Sequence, residues 1–301
     1  MKAALIAVLM TCHNRKEKTL ASLEAVYKQE LPLEVDVQVY LVDDGSTDGT
    51  AEAILATYPD TKLLQGDGNL FWNGGMRLAF AEALKSDHDY YLWLNDDTLL
   101  YPKALGTLLA TFYSLVKQSN IRSIVVGSTC DPQTGALTYS GMMWSSWWHP
   151  LKFSLVEPSE EAKPCYTMNG NCVLIPREVA QLVGNLDPAF THSTGDLDYG
   201  LRVRQRGGSV WLAPGYIGAC SLNSPRGNCW EDLNLTPRER LQKVLQPKGL
   251  PIGEWKVFAR RHAGLFWPFY WLLPYVRLLL ISFFNGLRAV GHKSSVVGLR
   301  R

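Results

Sequence analysis

The stretch VDVQVYLVDDGSTDGT, residues 35–50, decides the fold prediction for this chain. Its first eight residues are rich in β-branched and apolar side chains, which is typical of a buried strand. The strand ends at the polar turn Asp43-Asp44-Gly45-Ser46, and the residues after this turn place apolar side chains at helical spacing until Pro59. We expect this helix to bury Ile54, Leu55 and Tyr58. A buried strand that leads through a short turn into a helix is the repeating unit of an α/β sheet.

The same alternation continues on both sides of this stretch. Apolar runs predict further strands at Ala4–Met10, Leu63-Leu64, Tyr90–Leu94 and Ser123–Gly127. The helices between them are predicted from apolar side chains at helical spacing: Leu20, Leu23 and Tyr27 within residues 16–29, then Met76, Phe80, Ala83 and Leu84, then Leu105, Leu108, Leu109 and Phe112. We therefore predict an α/β fold with a mostly parallel central sheet and helices on both faces.

Polar clusters stand where three of these strands end, at residues 11–15, 43–48 and 95–98. Ligands of open parallel sheets bind beyond the carboxyl ends of the strands. The sequence therefore predicts a binding site along one edge of the sheet.

Composition excludes some classes of protein and indicates where the chain works. Of 301 residues, 47% are apolar and 19% charged, with a net charge of +2, which excludes a disordered chain. Residues 255–301 hold eight of the 30 basic residues and none of the 28 acidic ones, an asymmetry that indicates an anionic surface as partner.

The six cysteines have no metal-ligand spacing, so we expect reduced thiols, a cytosolic compartment and no zinc site. The apolar start is predicted to be a strand and not a signal peptide.

Two acidic clusters each allow a functional and a structural interpretation. Asp43 and Asp44 could accept hydrogen bonds from a base or a ribose, or only cap the following helix. Asn95-Asp96-Asp97 offers oxygen ligands for Mg²⁺ or Mn²⁺, or forms only an acidic turn. Because side chains alternate along a strand, Asn95 and Asp97 are expected on one face, with Asp97 as the direct ligand.

A third cluster begins a predicted helix over Asp196–Arg206, which follows a predicted helix at Pro176–Val183 and precedes a predicted strand at Ser209–Ala213. Asp196 in the first turn could act as a general base toward a hydroxyl, or serve as an N-cap alone. Asp198 and Arg202 are four residues apart and are expected to pair.

Glycine-rich and aromatic segments complete the candidates. Residues 66–75 could let the backbone approach a ligand closely, and they contain no Walker phosphate loop. Trp144, Trp147 and Trp148 could stack on a sugar face or simply pack.

Four motifs in order resemble the inverting family 2 glycosyltransferases with the GT-A fold: residues 11–15, 42–50, 94–98 and 195–202. More narrowly, they are similar to the bacterial branch that includes rhamnosyltransferase-like enzymes. The resemblance extends from residue 4 to about residue 225. It implies transfer of a sugar from a UDP- or dTDP-linked donor to a hydroxyl of a lipid-linked or polysaccharide acceptor, with inversion and with the help of Mn²⁺ or Mg²⁺.

The resemblance also implies roles for individual residues. Asp196 would be the general base, and Asp97 would bind the metal on the donor diphosphate. Donor nucleotide contacts are expected from Thr11, Cys12, His13, Arg15, Asp43, Asp44, Asn69, Gly74, Arg77 and Asp96. Contacts to the acceptor or sugar are expected from Trp72, Trp148, Asn169, Gly170 and Asp198.

The sequence departs from the family pattern at three places. Gly195 stands where the family usually has a Glu before the base. Met76 stands where many relatives have a base-contacting Arg, and the resemblance implies that the neighbouring Arg77 substitutes for it. The segment from Gly218 to Asn223 lacks the His often found near the diphosphate. The metal ligand set is thus left open.

We predict a catalytic domain over residues 1–225, with a nucleotide-binding half at 1–128 and an acceptor-side half at 129–225 that extends the sheet, followed by a C-terminal extension at 226–301. Within the extension, residues 264–284 hold 16 apolar residues out of 21 but include Pro268, Pro274 and Arg277. This pattern favours an interfacial helix over a spanning one, and we predict peripheral membrane contact through residues 255–301 at the cytoplasmic face. The alternative is a helix packed on the body or on a second subunit.

Two other functions remain open from the sequence. A sugar nucleotidyltransferase of the same fold class normally has an early Gly-rich phosphate loop, and residues 9–18 contain no glycine. A non-catalytic nucleotide-sugar-binding subunit is allowed by Gly195 and by the missing His. We expect no nucleic-acid partner.

Overall fold

A computed structural model describes residues 4–32, 34–222 and 235–280. The chain divides into two compact units, one of residues 1–148 and 152–222 and the other of residues 149–151 and 223–301. The domain boundary predicted at 225–226 lies outside the described residues, as does the part of the predicted membrane contact at 281–301.

The first unit alternates strands and helices in its N-terminal part, as predicted. Its strands are β1 (Ala4–Cys12), β2 (Val35–Asp43), β3 (Lys62–Gln65), β4 (Tyr90–Leu94), β5 (Leu99–Leu100), β6 (Ser123–Cys130), β7 (Leu137–Tyr139), β8 (Gly141–Trp144), β9 (Phe153–Leu155), β10 (Lys163–Cys165), β11 (Thr167–Met168), β12 (Cys172–Pro176) and β13 (Ser209–Ala219). Its helices are α1 (Lys16–Tyr27), α2 (Thr50–Thr57), α3 (Phe71–Ala83), α4 (Ala104–Lys117), α5 (Arg177–Val183) and α6 (Gly195–Gln205).

The central sheet has the main order β10-β13-β6-β12-β4-β1-β2-β3. The neighbours β4-β1-β2-β3 are parallel, as are β13 and β6, and this confirms the predicted mostly parallel α/β fold. Strand β12 runs antiparallel between β4 and β6 and was not predicted. The strands β6, β12 and β13 extend the sheet, as expected, and β8, β9 and β11 form a separate three-stranded sheet.

Strand β13 is longer than the sequence indicates. The sequence Pro214-Gly215 would normally end a strand, and we expected the end at Ala213. Pairing with β6 instead resumes at Tyr216 after a shift in register, and Gly215 has a φ of 63°. A bulge thus absorbs the two residues and lets the strand continue to Ala219.

Apolar residues cover both faces of the sheet, because successive residues of a strand point to opposite sides. On one face, Val8 and Met10 of β1 pack with residues of α1 and α4. On the other face, Ala7 and Leu9 pack with α3, α5 and α6. Two predictions of burial are wrong: Leu55 and Leu84 are exposed, because each lies on the solvent side of its helix.

The described part of the second unit is helical. It contains α7 (Pro237–Leu245), α8 (Ile252–His262), a 3₁₀ turn (Gly264–Phe266) and a further helix at residues 267–280. The indole of Trp271 donates to the carbonyl of Ile252 (3.2 Å), and the Tyr275 hydroxyl donates to the carbonyl of Leu250 (2.7 Å). These bonds fix helix 267–280 against the start of α8. Among the residues described, no helix combines the length and apolar character needed to cross a bilayer.

The central position of β12 leads to a stability prediction. Leu174 is fully buried in this strand, so Leu174→Ala is expected to lower the free energy of unfolding by about 2–5 kcal/mol. The matched control Leu55→Ala, at an exposed position of α2, should change it by less than about 0.5 kcal/mol. Denaturant unfolding followed by circular dichroism measures both. Equal losses in the two variants would contradict the position of β12 in the core.

Candidate active site

Six chain segments meet at one edge of the central sheet. Strands β1 and β2 end side by side, with Cys12 opposite Asp43, and β4 ends at Leu94 opposite Cys172, the first residue of the antiparallel β12. The antiparallel direction of β12 therefore delivers the preceding residues 169–171 to the edge where β1, β2 and β4 end. The end of β13 and the start of α6 contribute Cys220 and Asp196 to the same network of contacts, as described below.

One guanidinium binds two neighbouring carboxylates at this edge. Nη1 of Arg15 lies 3.1 Å from Oδ1 of Asp96 and 2.9 Å from Oδ2 of Asp97. The Asp96 and Asp97 side chains are only 9% and 6% exposed. Strand β4 has already ended at Leu94, so the alternation expected from the sequence does not apply and both carboxylates face the same cation.

Burial and the neighbouring charges set the protonation of this group. Burial raises the pKa of Asp96 to about 6, with Arg15 lowering it and Asp97 raising it further. The thiol of Cys220 has its pKa raised to about 12 by burial and by Asp97, so it stays protonated. It donates to Oδ1 of Asp97 (3.5 Å).

The chemistry of these donors fits a hard divalent cation. Asp96 and Asp97 offer carboxylate oxygens, the ligand type of Mg²⁺ and Mn²⁺, and a cationic group already bridges them. Among the described residues, no group of three or more His, Cys, Asp or Glu side chains could hold a metal ion. A metal at Asp97 would therefore depend on oxygens supplied by a ligand such as a diphosphate.

Asp43 is buried at the end of β2 with one oxygen directed to the protein. Its Oδ1 accepts hydrogen bonds from the backbone N–H of Ser46 (3.0 Å) and from the thiol of Cys12 (4.0 Å). Burial raises the pKa of the Cys12 thiol, and the negative charge of Asp43 raises it further. The thiol therefore stays protonated and acts as a donor, not as a nucleophile. No described residue donates to Oδ2 of Asp43, which remains available to a ligand.

Asp44 has a different task from its neighbour. Its Oδ1 accepts from the backbone N–H of Gly68 (2.8 Å) and its Oδ2 from that of Phe71 (3.0 Å), so both oxygens hold the loop before α3. The ring of His13 donates from Nδ1 to the carbonyl oxygen of Asp44 (2.6 Å). The Asp44 carboxylate thus anchors the loop before α3 with both of its oxygens.

Asp196 lies in the first turn of α6, partly exposed, with its carboxylate held by the backbone. Oδ2 accepts from the N–H of Gly170 (2.8 Å) and Oδ1 from that of Leu197 (2.8 Å). Burial raises the pKa of Asp196, while these backbone hydrogen bonds act in the opposite direction. A carboxylate with a raised pKa is a better base near neutral pH than an ordinary aspartate.

Trp72 connects Asp196 to the acidic cluster after β4. Its indole N–H donates to Oδ1 of Asn95 (2.8 Å), the residue before Asp96. Its ring lies so close to Gly170 that a β-carbon there would overlap it. Contacts therefore run from Asn95, which precedes Asp96 and Asp97 in the chain, through Trp72 and Gly170 to Asp196.

Gly195, the departure from the family pattern before the base, has a steric cause. A β-carbon at this position would overlap Oδ1 of Asn73. Asn73 is fully buried and donates from Nδ2 to the carbonyls of Asp187 (3.1 Å) and Phe190 (2.7 Å). Its side chain fixes the loop that leads into α6 and fills the space that a larger residue at 195 would need.

Other expected contact residues lie at the rim or beneath it. Thr11 packs against Gly75 of α3, and Gly74 is buried against Leu70. Asn69 is exposed, and its backbone N–H donates to the carboxylate of Asp67. Arg77 is partly buried one turn along α3, where its carbonyl accepts from Asn185 (2.9 Å). Asn169 is partly exposed beside Gly170, and Trp148 is exposed beyond β8, with no contact described to Asp196.

Asp198 is the clearest correction among the expected acceptor contacts. Its side chain is fully buried and its Oδ2 accepts from Nε of Arg202 (2.7 Å), which confirms the predicted pair. Arg202 also donates to the carbonyls of Val183 and Asn185. Asp198 lies two residues beyond Asp196 on the helix and points into the protein, where it holds Arg202, the residue that ties α6 to the end of α5.

Asn171 was missed by the sequence analysis. It is buried, its Oδ1 accepts from the Thr98 hydroxyl (3.2 Å) and its Nδ2 donates to the sulfur of Cys220 (3.5 Å). Its carbonyl accepts from the N–H of Asn95 (2.9 Å). The apolar run that follows it, residues 172–176, was the available signal, since a strand there makes Asn171 a strand-end residue.

Known proteins resemble this chain in sequence. Residues 7–184, more than half of the chain, match the family described as glycosyl transferase family 2. An N-acetylglucosaminyl-diphospho-decaprenol L-rhamnosyltransferase of Mycobacterium tuberculosis is 27% identical over 229 residues, which cover 69% of this chain and 71% of that protein.

Solved structures share the fold at low sequence identity. GalNAc-T7 with UDP, GalNAc and Mn²⁺ superposes with a TM-score of 0.58 at 15% identity, over 75% of this chain and 44% of that one. The Pyrobaculum calidifontis mannosyltransferase PcManGT in complex with GDP-Man and Mn²⁺ superposes with a TM-score of 0.56 at 15% identity, over 98% of this chain and 81% of that one. This chain therefore belongs to glycosyl transferase family 2 and is a glycosyltransferase with the GT-A fold.

Proposed function

We propose that this enzyme transfers a sugar from a UDP- or dTDP-linked donor to a hydroxyl of a lipid-linked or polysaccharide acceptor, with inversion at the anomeric carbon. The observation that carries the proposal is the series of contacts from Asn95, the neighbour of Asp96 and Asp97 in the chain, through Trp72 and Gly170 to Asp196. It puts a base with a raised pKa and a cation-binding acidic pair within one network at one sheet edge.

The donor side of the proposed site lies at the ends of β1, β2 and β4. Oδ2 of Asp43 can accept from a base N–H, and the loops that carry His13 and Asp44 are held together by hydrogen bonds, which keeps this region rigid. Asp96 and Asp97 would hold a divalent metal together with the donor diphosphate. When bound, that metal would neutralise charge on the departing nucleoside diphosphate.

The acceptor side is defined by Asp196. Its carboxylate removes the proton of the acceptor hydroxyl as the acceptor oxygen bonds to the anomeric carbon and the bond to the diphosphate oxygen breaks. The N–H groups of Gly170 and Leu197 fix the orientation of the carboxylate, so little motion is needed at the moment of transfer. A single displacement inverts the configuration, because no covalent intermediate with the protein forms.

The name of one relative supports the proposed acceptor class. The Mycobacterium tuberculosis protein is named for transfer to an N-acetylglucosaminyl-diphospho-decaprenol, a sugar on a lipid carrier. A lipid-linked or polysaccharide glycan is therefore the acceptor proposed here, with Trp72, Asn169 and Gly170 around Asp196 as contacts.

The second unit supports peripheral attachment to the cytoplasmic face of a membrane. Leu265 and Phe266 are 94% and 73% exposed, and exposed apolar side chains continue along helix 267–280 at helical spacing: Phe269, Leu272, Val276 and Leu279. Lys256 and Arg260 of α8 add exposed positive charge. Apolar side chains with nearby basic residues favour the interface of an anionic leaflet.

The role of Asp196 is tested with Asp196→Asn, which keeps shape but removes the base. Transfer should fall by about 10²–10⁴-fold, the usual contribution of a general base, while affinity for the nucleotide stays within about twofold. A screen of UDP- and dTDP-sugars by mass spectrometry, with donor binding by calorimetry, measures both. The control Asp36→Asn, at an exposed position near the start of β2, should retain activity. Full transfer by Asp196→Asn would remove this assignment.

The raised pKa of Asp196 predicts the pH dependence of transfer. Only the ionised carboxylate accepts a proton, so kcat/KM should fall as pH drops through the pKa of Asp196. Because burial raises that pKa, the acid limb should lie above the ordinary aspartate value of about 3.9. Rate profiles against pH, collected only where circular dichroism shows the native fold, measure the limb. An acid limb at or below the ordinary value would contradict the proposal.

Membrane attachment is tested with vesicles. The full chain should sediment with vesicles of phosphatidylcholine and phosphatidylglycerol, and much less with phosphatidylcholine alone. The double variant Leu265→Asp and Phe266→Asp should weaken this binding at least tenfold, because each burial contributes about 1.5–3 kcal/mol. Leu55→Asp in α2 is the control. Unchanged sedimentation of the double variant would favour a helix that packs on protein.

A further inference from the structure

The acidic pair after β4 is occupied by a side chain of the protein itself. Nη1 of Arg15 lies within hydrogen-bond distance of both Asp96 and Asp97, at 3.1 and 2.9 Å. Both carboxylates are nearly buried, so they depend on a counter-charge far more than exposed groups do. Arg15 belongs to the loop after β1, and this ion pair is its link to the loop after β4.

The chain offers a matched pair for comparison at the opposite edge of the sheet. Nη2 of Arg177 bridges Asp87 and Asp89 at 3.1 and 2.9 Å, nearly the same geometry. The carboxylates there are 72% and 41% exposed, so water screens them. The difference in burial means that Asp96 and Asp97 depend on their counter-cation, whereas the Arg177 cluster is an ordinary surface ion pair.

A guanidinium and a divalent ion compete for the same oxygens. The carboxylate atoms that Arg15 occupies, Oδ1 of Asp96 and Oδ2 of Asp97, are those that face the cation position. The remaining oxygen of Asp97, Oδ1, accepts from the protonated thiol of Cys220. A metal ion that binds between the two carboxylates must therefore displace Arg15 and leave its charge unpaired.

We propose that Arg15 is a built-in counter-cation that fills the metal position of the free enzyme and is released when metal and donor diphosphate bind together. The released guanidinium then pairs with the diphosphate, which it matches in charge and in its two-pronged geometry. The free enzyme accordingly binds divalent metal weakly, and metal and nucleotide strengthen each other's binding. Arg15 is thus a positioning residue that couples the two.

This inference rests on the proposed donor site, and its test is independent of sugar transfer. Mn²⁺ is titrated into the full chain without nucleotide, and the free ion is measured by electron paramagnetic resonance. Arg15→Gln should bind Mn²⁺ about tenfold more tightly than the wild type, as expected for loss of one competing ion pair. Arg15→Lys, which keeps the charge, should stay near the wild type, and the control Arg177→Gln should match it within about twofold.

Thermal unfolding gives a second measurement, which stays informative if Arg15→Gln is less stable because the Mn²⁺-induced shift in Tm is measured within each variant. Without its counter-cation, Arg15→Gln should unfold at a lower temperature than the wild type, and Mn²⁺ should raise its Tm more than that of the wild type or of Arg177→Gln. Addition of UDP or dTDP should tighten Mn²⁺ binding more in the wild type than in Arg15→Gln.

Two results would overturn the inference: Mn²⁺ affinity of Arg15→Gln equal to or below that of the wild type, or wild-type Mn²⁺ affinity that UDP and dTDP leave unchanged. Either result leaves the Asp196 experiment unaffected. Conversely, loss of the Asp196 assignment leaves the Mn²⁺ titration interpretable, so the two failures can be told apart.

Discussion

Two neighbouring carboxylates with almost no access to water need a positive charge, and this requirement organises the active-site edge. Asp96 and Asp97 obtain that charge from Arg15, which joins the loop after β1 to the loop after β4. Asn95, held by the Trp72 indole, continues the connection toward α6. The Asp96–Asp97 pair and the start of α6 are thus joined through neighbouring residues, and an unbalanced charge at the pair would disturb the proposed donor and acceptor sides together.

The sequence was sufficient to predict the fold class, and it also predicted which edge of the sheet carries the polar strand ends. Apolar runs that end in Asp, Asn and Gly mark the ends of parallel strands, and those ends must share an edge. The strand ends at residues 12, 43 and 94 do lie along one edge of the sheet, which the sequence predicted from this rule. Local patterning also predicted the ion pair of Asp198 and Arg202.

The remaining features depend on long-range packing that local patterns do not encode. The antiparallel placement of β12 is set by its neighbours β4 and β6, and it decides that Asn171 joins the site. Asp43 and Asp44 are adjacent and chemically equal, yet the glycine-rich loop captures only Asp44. The prediction that Asn95 and Asp97 share one face was wrong, because it assumed that side chains alternate there as in a strand. Strand β4 ends at Leu94, before these residues begin.

The contact between Gly195 and Asn73 limits how this site can change over evolution. A Glu in front of the base, as in other family members, cannot be accepted by a single substitution, because the Asn73 amide fills that volume. Shortening Asn73 first would release the carbonyls of Asp187 and Phe190 and loosen the loop. Positions 73 and 195 are therefore expected to vary together among homologues, and the order of the two substitutions determines whether the intermediate is viable.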